Sequence, residues 1–179
     1  TRSIAFHEFT HVYDHYLLQQ NNIVDKENYT FIYHEYHATI IEMMCALGFK
    51  NITEIAEINI NTSKVYLGMK HHELRRYLKD EKEQKIELFE KLLKIPLTST
   101  SCVEVIRFIA YTLGCIEFLK KYCRDGLEIF EIQNYLQEKF GDSISNLQFL
   151  LRLAKPCDMH IHKEIVKSMS KALEPYMKK

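Results

Sequence analysis

The chain has 179 residues, about one domain's worth, and is long enough to bury a substantial core. Its 46% hydrophobic and 27% charged content is that of a globular protein, and 24 Lys+Arg against 24 Asp+Glu leave no net field to attract nucleic acid or an anionic membrane. No apolar run reaches the ~18 residues that a bilayer-spanning helix needs, and no secretory signal is legible.

The first predicted helix covers residues 3–20, with Ile4, Phe6, His7, Val12, Leu17 and Leu18 as its expected buried positions and Asn21-Asn22 as its stop. It carries His7-Glu8-Phe9-Thr10-His11, an H-E-x-x-H motif. Residues four apart share a helix face, so His7 and His11 can present two imidazoles to one metal ion. Glu8 lies on the flank of that face, where a carboxylate serves as general base toward a zinc-activated water. His15 repeats the face one turn on, but about 12 Å from His7 along the axis, too far for a third ligand. It is expected to be a partly buried histidine bonded to a carbonyl. Asp14 is read either as an orienting group for a ligand histidine or as a solvated helix residue.

After a short loop with Asp25 and Lys26, a second helix is predicted from Tyr29 to Leu47, with Gly48 as its C-terminal cap. Glu35 offers a carboxylate that completes a His₂Glu set with His7 and His11, and Glu42, seven residues on, shares its face as the fallback. His34 and His37 form a competing face about 100° and 200° away from Glu35, so both faces cannot serve one ion. Spacing leaves both faces open; a His₂Glu set takes Glu35 and leaves His34 and His37 as surface groups or as partners of a ligand.

This arrangement resembles the gluzincin metallopeptidases, which carry H-E-x-x-H on one helix and a glutamate ligand on the next. It is most similar to the ImmA/IrrE-like and CAAX-prenyl-protease-like branches, whose second helix reads E-x-x-A before an apolar run. Here that is Glu35-Tyr36-His37-Ala38 before Ile40, Ile41, Met43 and Met44. The resemblance covers residues 1–48 and implies zinc held by His7, His11 and Glu35, peptide-bond hydrolysis with Glu8 as base, and an oxyanion-stabilising Tyr or His from further along the chain. Two positions depart from the family. Thr39 stands where Asp or Asn usually orients a ligand histidine. Only six residues precede His7 and the first is not Met, so the chain reads as a piece of a longer one whose upstream β-sheet is missing.

Residues 52–60 are compatible with a short helix or a strand. A charged helix is predicted over 64–79, with His71, His72, Arg75 and Arg76 forming a basic face, and Asp80 either restarts it or lets it continue through Lys94. Ile86, Leu88, Phe89, Leu92, Leu93 and Ile95 supply the apolar stripe of this segment. Pro96 and Thr98–Ser101 read as a loop. Residues 102–123 follow as an apolar core helix, ended by Asp125-Gly126, and shorter helices are predicted at 127–140, 143–154 and 160–174. Cys157 to His162 contains metal-binding residue types but lacks a partner cluster, and Pro156-Cys157-Asp158 is helix-start chemistry.

The expected fold is mainly α, a helical array built on a zincin-like two-helix metal site. Residues 1–48 hold the site, and 49–179 pack on it in one globular unit. The five scattered cysteines suit a reducing cytoplasm. The expected activity is that of a zinc metallopeptidase acting on a peptide or protein substrate. The alternative is a non-catalytic helical regulatory or scaffolding domain on a metallopeptidase-like core.

Overall fold

The computed structural model describes residues 2–49, 53, 55, 58–67, 70–123 and 127–177, with backbone only at residues 2, 67, 71 and 127–130. The described residues are mainly helical: α1 (Arg2–Gln20), α2 (Phe31–Ala46), α3 (Leu74–Leu93), α4 (Ser99–Tyr122), α5 (Leu127–Phe140), α6 (Asp142–Leu153) and α7 (Met159–Leu173). A two-stranded antiparallel hairpin, β1 (Lys64–Leu67) and β2 (Lys70–Glu73), precedes α3. Among the described residues no helix is long and apolar enough to cross a membrane.

The central element is α4, whose Ile109, Ala110 and Leu113 are fully buried. Thr98 and Ser101 form its capping box, so the cluster expected to be a loop starts the helix instead. On one side α4 packs against α2, which in turn carries α1; the α6–α7 pair and α3–α5 complete the array. Contact between α2 and α4 is close because residue 114 is glycine. A Cβ there would meet the Tyr36 carbonyl oxygen at 2.6 Å and Thr39 Cβ at 3.0 Å, inside normal contact distance.

Turn chemistry fixes the junction between α1 and α2. Asn22 and Asn28 adopt positive φ, and the Asp25 carboxylate accepts from the backbone N–H groups of Tyr29 and Thr30 and from the Thr30 hydroxyl. These are donors that the start of α2 would otherwise leave unpaired. Gly48, at φ +84°, donates its N–H to Cys45 O and ends the helix as expected.

The region expected to be a charged helix over 64–79 differs. Residues 64–73 form the hairpin, and α3 then runs unbroken from Leu74 to Leu93. Val65 is fully buried in β1 while Tyr66 is exposed, the alternation a strand requires; the β-branched and aromatic pair followed by Gly68 favours strand over helix. His72 and Arg75 therefore lie on a strand and at a helix start, not on one basic helical face. Asp125-Gly126 lie outside the described residues, as do 52, 54, 56 and 57 of the stretch 52–60. Within that stretch, Ile58 bridges to Cys123 in parallel, its N–H donating to Tyr122 O. All five cysteines are free thiols.

Candidate metal centre

The helix α1 packs against α2 through a polar face. Ser3, His7, Thr10, Asp14 and Leu18, spaced four, three, four and four apart, are its buried positions. Ile4, Phe6 and Val12, expected inside, are exposed, as are Phe9, Tyr13 and Tyr16. Buried polar groups cost free energy unless each is bonded, and most here are. Thr10 Oγ1 donates to Phe6 O, Asp14 faces His37, and His7 meets two carboxylates. The usual inside-out ordering of a helix is thus reversed to bring ionisable groups together.

The gathering point is Glu35. Its Oε2 lies 3.5 Å from His7 Nε2 and 3.6 Å from His11 Nε2. These distances are long for hydrogen bonds, and Oε2 is a buried oxygen with no hydrogen-bond partner. The three ligand atoms all lie within 4.8 Å of one another, the one such group among the described residues. Ligand atoms around a tetrahedral zinc with bonds of about 2.0–2.1 Å stand about 3.3–3.4 Å apart. An orphaned carboxylate oxygen flanked at nearly that spacing by two imidazole nitrogens fits a zinc ion.

Two of the three groups are held from behind. His7 uses its other ring nitrogen, Nδ1, on Glu42 Oε2 at 3.1 Å, the carboxylate–histidine pairing that sets the tautomer and orientation of a ligand imidazole. Glu42 thus stands behind His7 and outside the group of His7, His11 and Glu35. Thr39 does not take that role: its hydroxyl donates to Glu35 O, one turn back on its own helix. The second oxygen of Glu35, Oε1, accepts from Arg107 Nε on α4 at 3.2 Å.

Electrostatics follow from this packing. Burial by itself would lower the His7 pKa, but Glu35 and Glu42 outweigh it and raise it to about 9. Burial would raise that of Glu35, but His11, His7 and Arg107 hold it well below the usual carboxylate range. At neutral pH the metal-free site thus holds an ionised Glu35 beside a protonated His7, which would have to release its proton to bind a metal. Tyr111, also on α4, places its hydroxyl 3.2 Å from His7 Nε2. Burial and then the Glu35 charge push its pKa up, so it stays a hydroxyl donor.

Among the other expected residues, Glu8 is exposed on α1, one position beyond His7. His15 is exposed and packs edge-on to the His34 ring at 5.0 Å, outside the ligand group and not bonded to a carbonyl as expected. His34 is buried rather than on the surface, with Nε2 unpaired, and burial lowers its pKa to about 4. His37 Nδ1 lies 3.0 Å from the fully buried Asp14, so Asp14 neither contacts a ligand histidine nor is solvated. In the Cys157–His162 tract, Asp158 caps α7, and His162 is buried with Nε2 donating toward the Lys155 and Pro156 carbonyls.

Arg107 and Tyr111 escaped the sequence reading. Their signal is that Arg107, Tyr111 and Gly114 stand four and three apart on α4, two polar groups and a gap on the face toward α2. No protein-family model matches the chain, and no curated protein or solved structure matches it.

Proposed function

We propose that the protein is a zinc-dependent peptide hydrolase of gluzincin type. The observation that carries this reading is the convergence of His7 Nε2, His11 Nε2 and the unpartnered Glu35 Oε2 on one point. His7, His11 and Glu35 would hold the ion, which leaves a tetrahedral site one position for water or substrate. Zinc, when bound, lowers the pKa of a water to about 7 and polarises a carbonyl oxygen.

The rest of the chemistry belongs to the chain. Glu8, exposed beside His7 on α1, takes the proton of the attacking water and delivers it to the leaving amine. Tyr111, a hydroxyl donor at the His7 side of the site, hydrogen-bonds the carbonyl oxygen as it gains negative charge. Glu42 holds the His7 ring and Arg107 holds the Glu35 carboxylate, so neither ligand has to reorganise during turnover.

The test is metal content of protein purified without affinity nickel. About one zinc per chain is expected; less than a tenth of that, unchanged after incubation with zinc, overturns the reading. A metal-bound scaffold is the second reading, favoured by the exposed Phe9, Val12, Tyr13 and Tyr16 on the outer side of α1. Hydrolysis of an unfolded protein substrate by the zinc-loaded form, absent in Glu8→Gln, separates the enzyme from the scaffold.

A further inference from the structure

Arg107 uses only part of its hydrogen-bonding capacity on Glu35. A guanidinium has five N–H donors in a planar fork, and only Nε is used, on Glu35 Oε1. Nη1 and Nη2 meet no acceptor among the described residues, and the side chain is half exposed. Its orientation is set twice over. The Nε bond ties it to Glu35, and the guanidinium carbon lies 5.7 Å from the centroid of the Phe31 ring, a cation–π contact. The result is a cation pre-organised at one end, with hydrogen-bonding capacity left at the other.

Its position matters as much as its charge. Glu35 faces the two histidines with Oε2 and Arg107 with Oε1, so a single carboxyl group separates the ligand set from the guanidinium. A C-terminal carboxylate is separated from the preceding peptide carbonyl by one nitrogen and one Cα, a span of the same order. An acidic side chain beside that bond reaches only slightly farther. Carboxylate is also the anion whose two oxygens match an arginine fork.

Resting on the hydrolase reading for the bond that is cut, we propose that Arg107 recognises a substrate carboxylate next to the scissile peptide, through the nitrogens not used on Glu35. The substrates are then short peptides with a free C-terminus one residue beyond the cleaved bond, or peptides with an acidic residue there.

The experiment measures binding of three peptides by NMR titration: N-acetyl-Ala-Ala, its C-terminal amide, and N-acetyl-Ala-Asp amide. Each is titrated into the zinc-free protein and into zinc-loaded Glu8→Gln, with zinc content measured on the same samples. The free acid should bind about 10- to 100-fold more tightly than the neutral amide in both forms, and Arg107→Gln should erase that preference. Arg107→Lys, which keeps the charge but not the fork, should retain part of it. A tight Asp-amide complex assigns the side-chain source; a weak one assigns the free C-terminus.

Equal binding of all three peptides overturns the proposal. So does a preference that survives Arg107→Gln, which would put the carboxylate on the metal instead. A merely structural Arg107 would weaken all three peptides together, and that result also overturns it. Should the samples take up no zinc, the hydrolase reading fails, while the zinc-free titration still decides the role of Arg107.

Discussion

Glu42 Oε2 lies 3.1 Å from His7 Nδ1, on the opposite edge of the ring from the nitrogen that faces Glu35. The imidazole is thereby held between two carboxylates of α2, seven residues apart on one face of that helix. Glu42→Ala should leave the fold intact by circular dichroism and lower zinc affinity by about 10- to 100-fold, as loss of such an outer partner generally does. Competition with a chelator checks it. An unchanged affinity would mean that His7 is oriented by packing alone.

The roles on the two helices separate by substitution. Glu8→Gln should keep zinc and abolish hydrolysis, because it removes a base and no ligand. Glu35→Ala should lose most zinc affinity. Tyr111→Phe should keep zinc and lower kcat by about 10²–10³, the usual cost of one oxyanion donor. Zinc content and turnover of each variant are the measurements.

His37→Ala should not strip the metal, since His37 Nδ1 is engaged by Asp14 and not by the ligand set. It should nevertheless cost stability, because Asp14 is fully buried and would lose its partner. With the His37 side chain 28% exposed, water can enter in its place, so about 1–3 kcal/mol is expected rather than the full cost of an unpaired buried charge. Denaturant unfolding of the metal-free protein reads this directly.

Gly114→Ala forces α2 and α4 apart, since the new methyl would sit 2.6 Å from a backbone oxygen that cannot swing aside. About 1–3 kcal/mol of destabilisation is expected, a Tm lower by several degrees for a chain of this size. Arg107 and Tyr111 ride on the same face of α4, so turnover should fall even at temperatures where the variant is folded.

Asp25 gives a pH dependence of known sign. Burial would raise its pKa, but hydrogen bonds from the Thr30 and Tyr29 N–H groups and the Thr30 hydroxyl outweigh this and lower it from the ordinary value of 3.8. A carboxyl whose pKa is depressed by folding stabilises the native state above the unfolded value, and that contribution is lost as pH falls through the folded one. Asp25→Ala should therefore cost about 1 kcal/mol at pH 7 and progressively less below pH ~4. Melts of the two proteins across that range should converge at the acid end.

The helices were legible in the sequence because their signals are local. Gly48 ends α2, Asp158 starts α7, and the apolar spacing of residues 102–123 marks α4, each acting within a turn or two of chain. The facing of His7 and His11 was legible for the same reason, because helical spacing puts them on one face; that Glu35 joins them depends on how α2 packs against α1. The burial of α1 was not. Hydrophobic periodicity assigns Ile4, Phe6 and Val12 to the core, and only the carboxylates of α2 make the opposite, polar face the one worth burying. The hairpin at 64–73 depended likewise on Val65 finding a core to enter. What the tertiary structure alone decided is the rest of the site: Glu42 behind His7, Arg107 behind Glu35 and Tyr111 beside them. Arg107 and Tyr111 stand 72 and 104 residues from the groups they meet, and no local pattern encodes a contact over that distance. A glycine at 114, by letting two helices touch, brings it about.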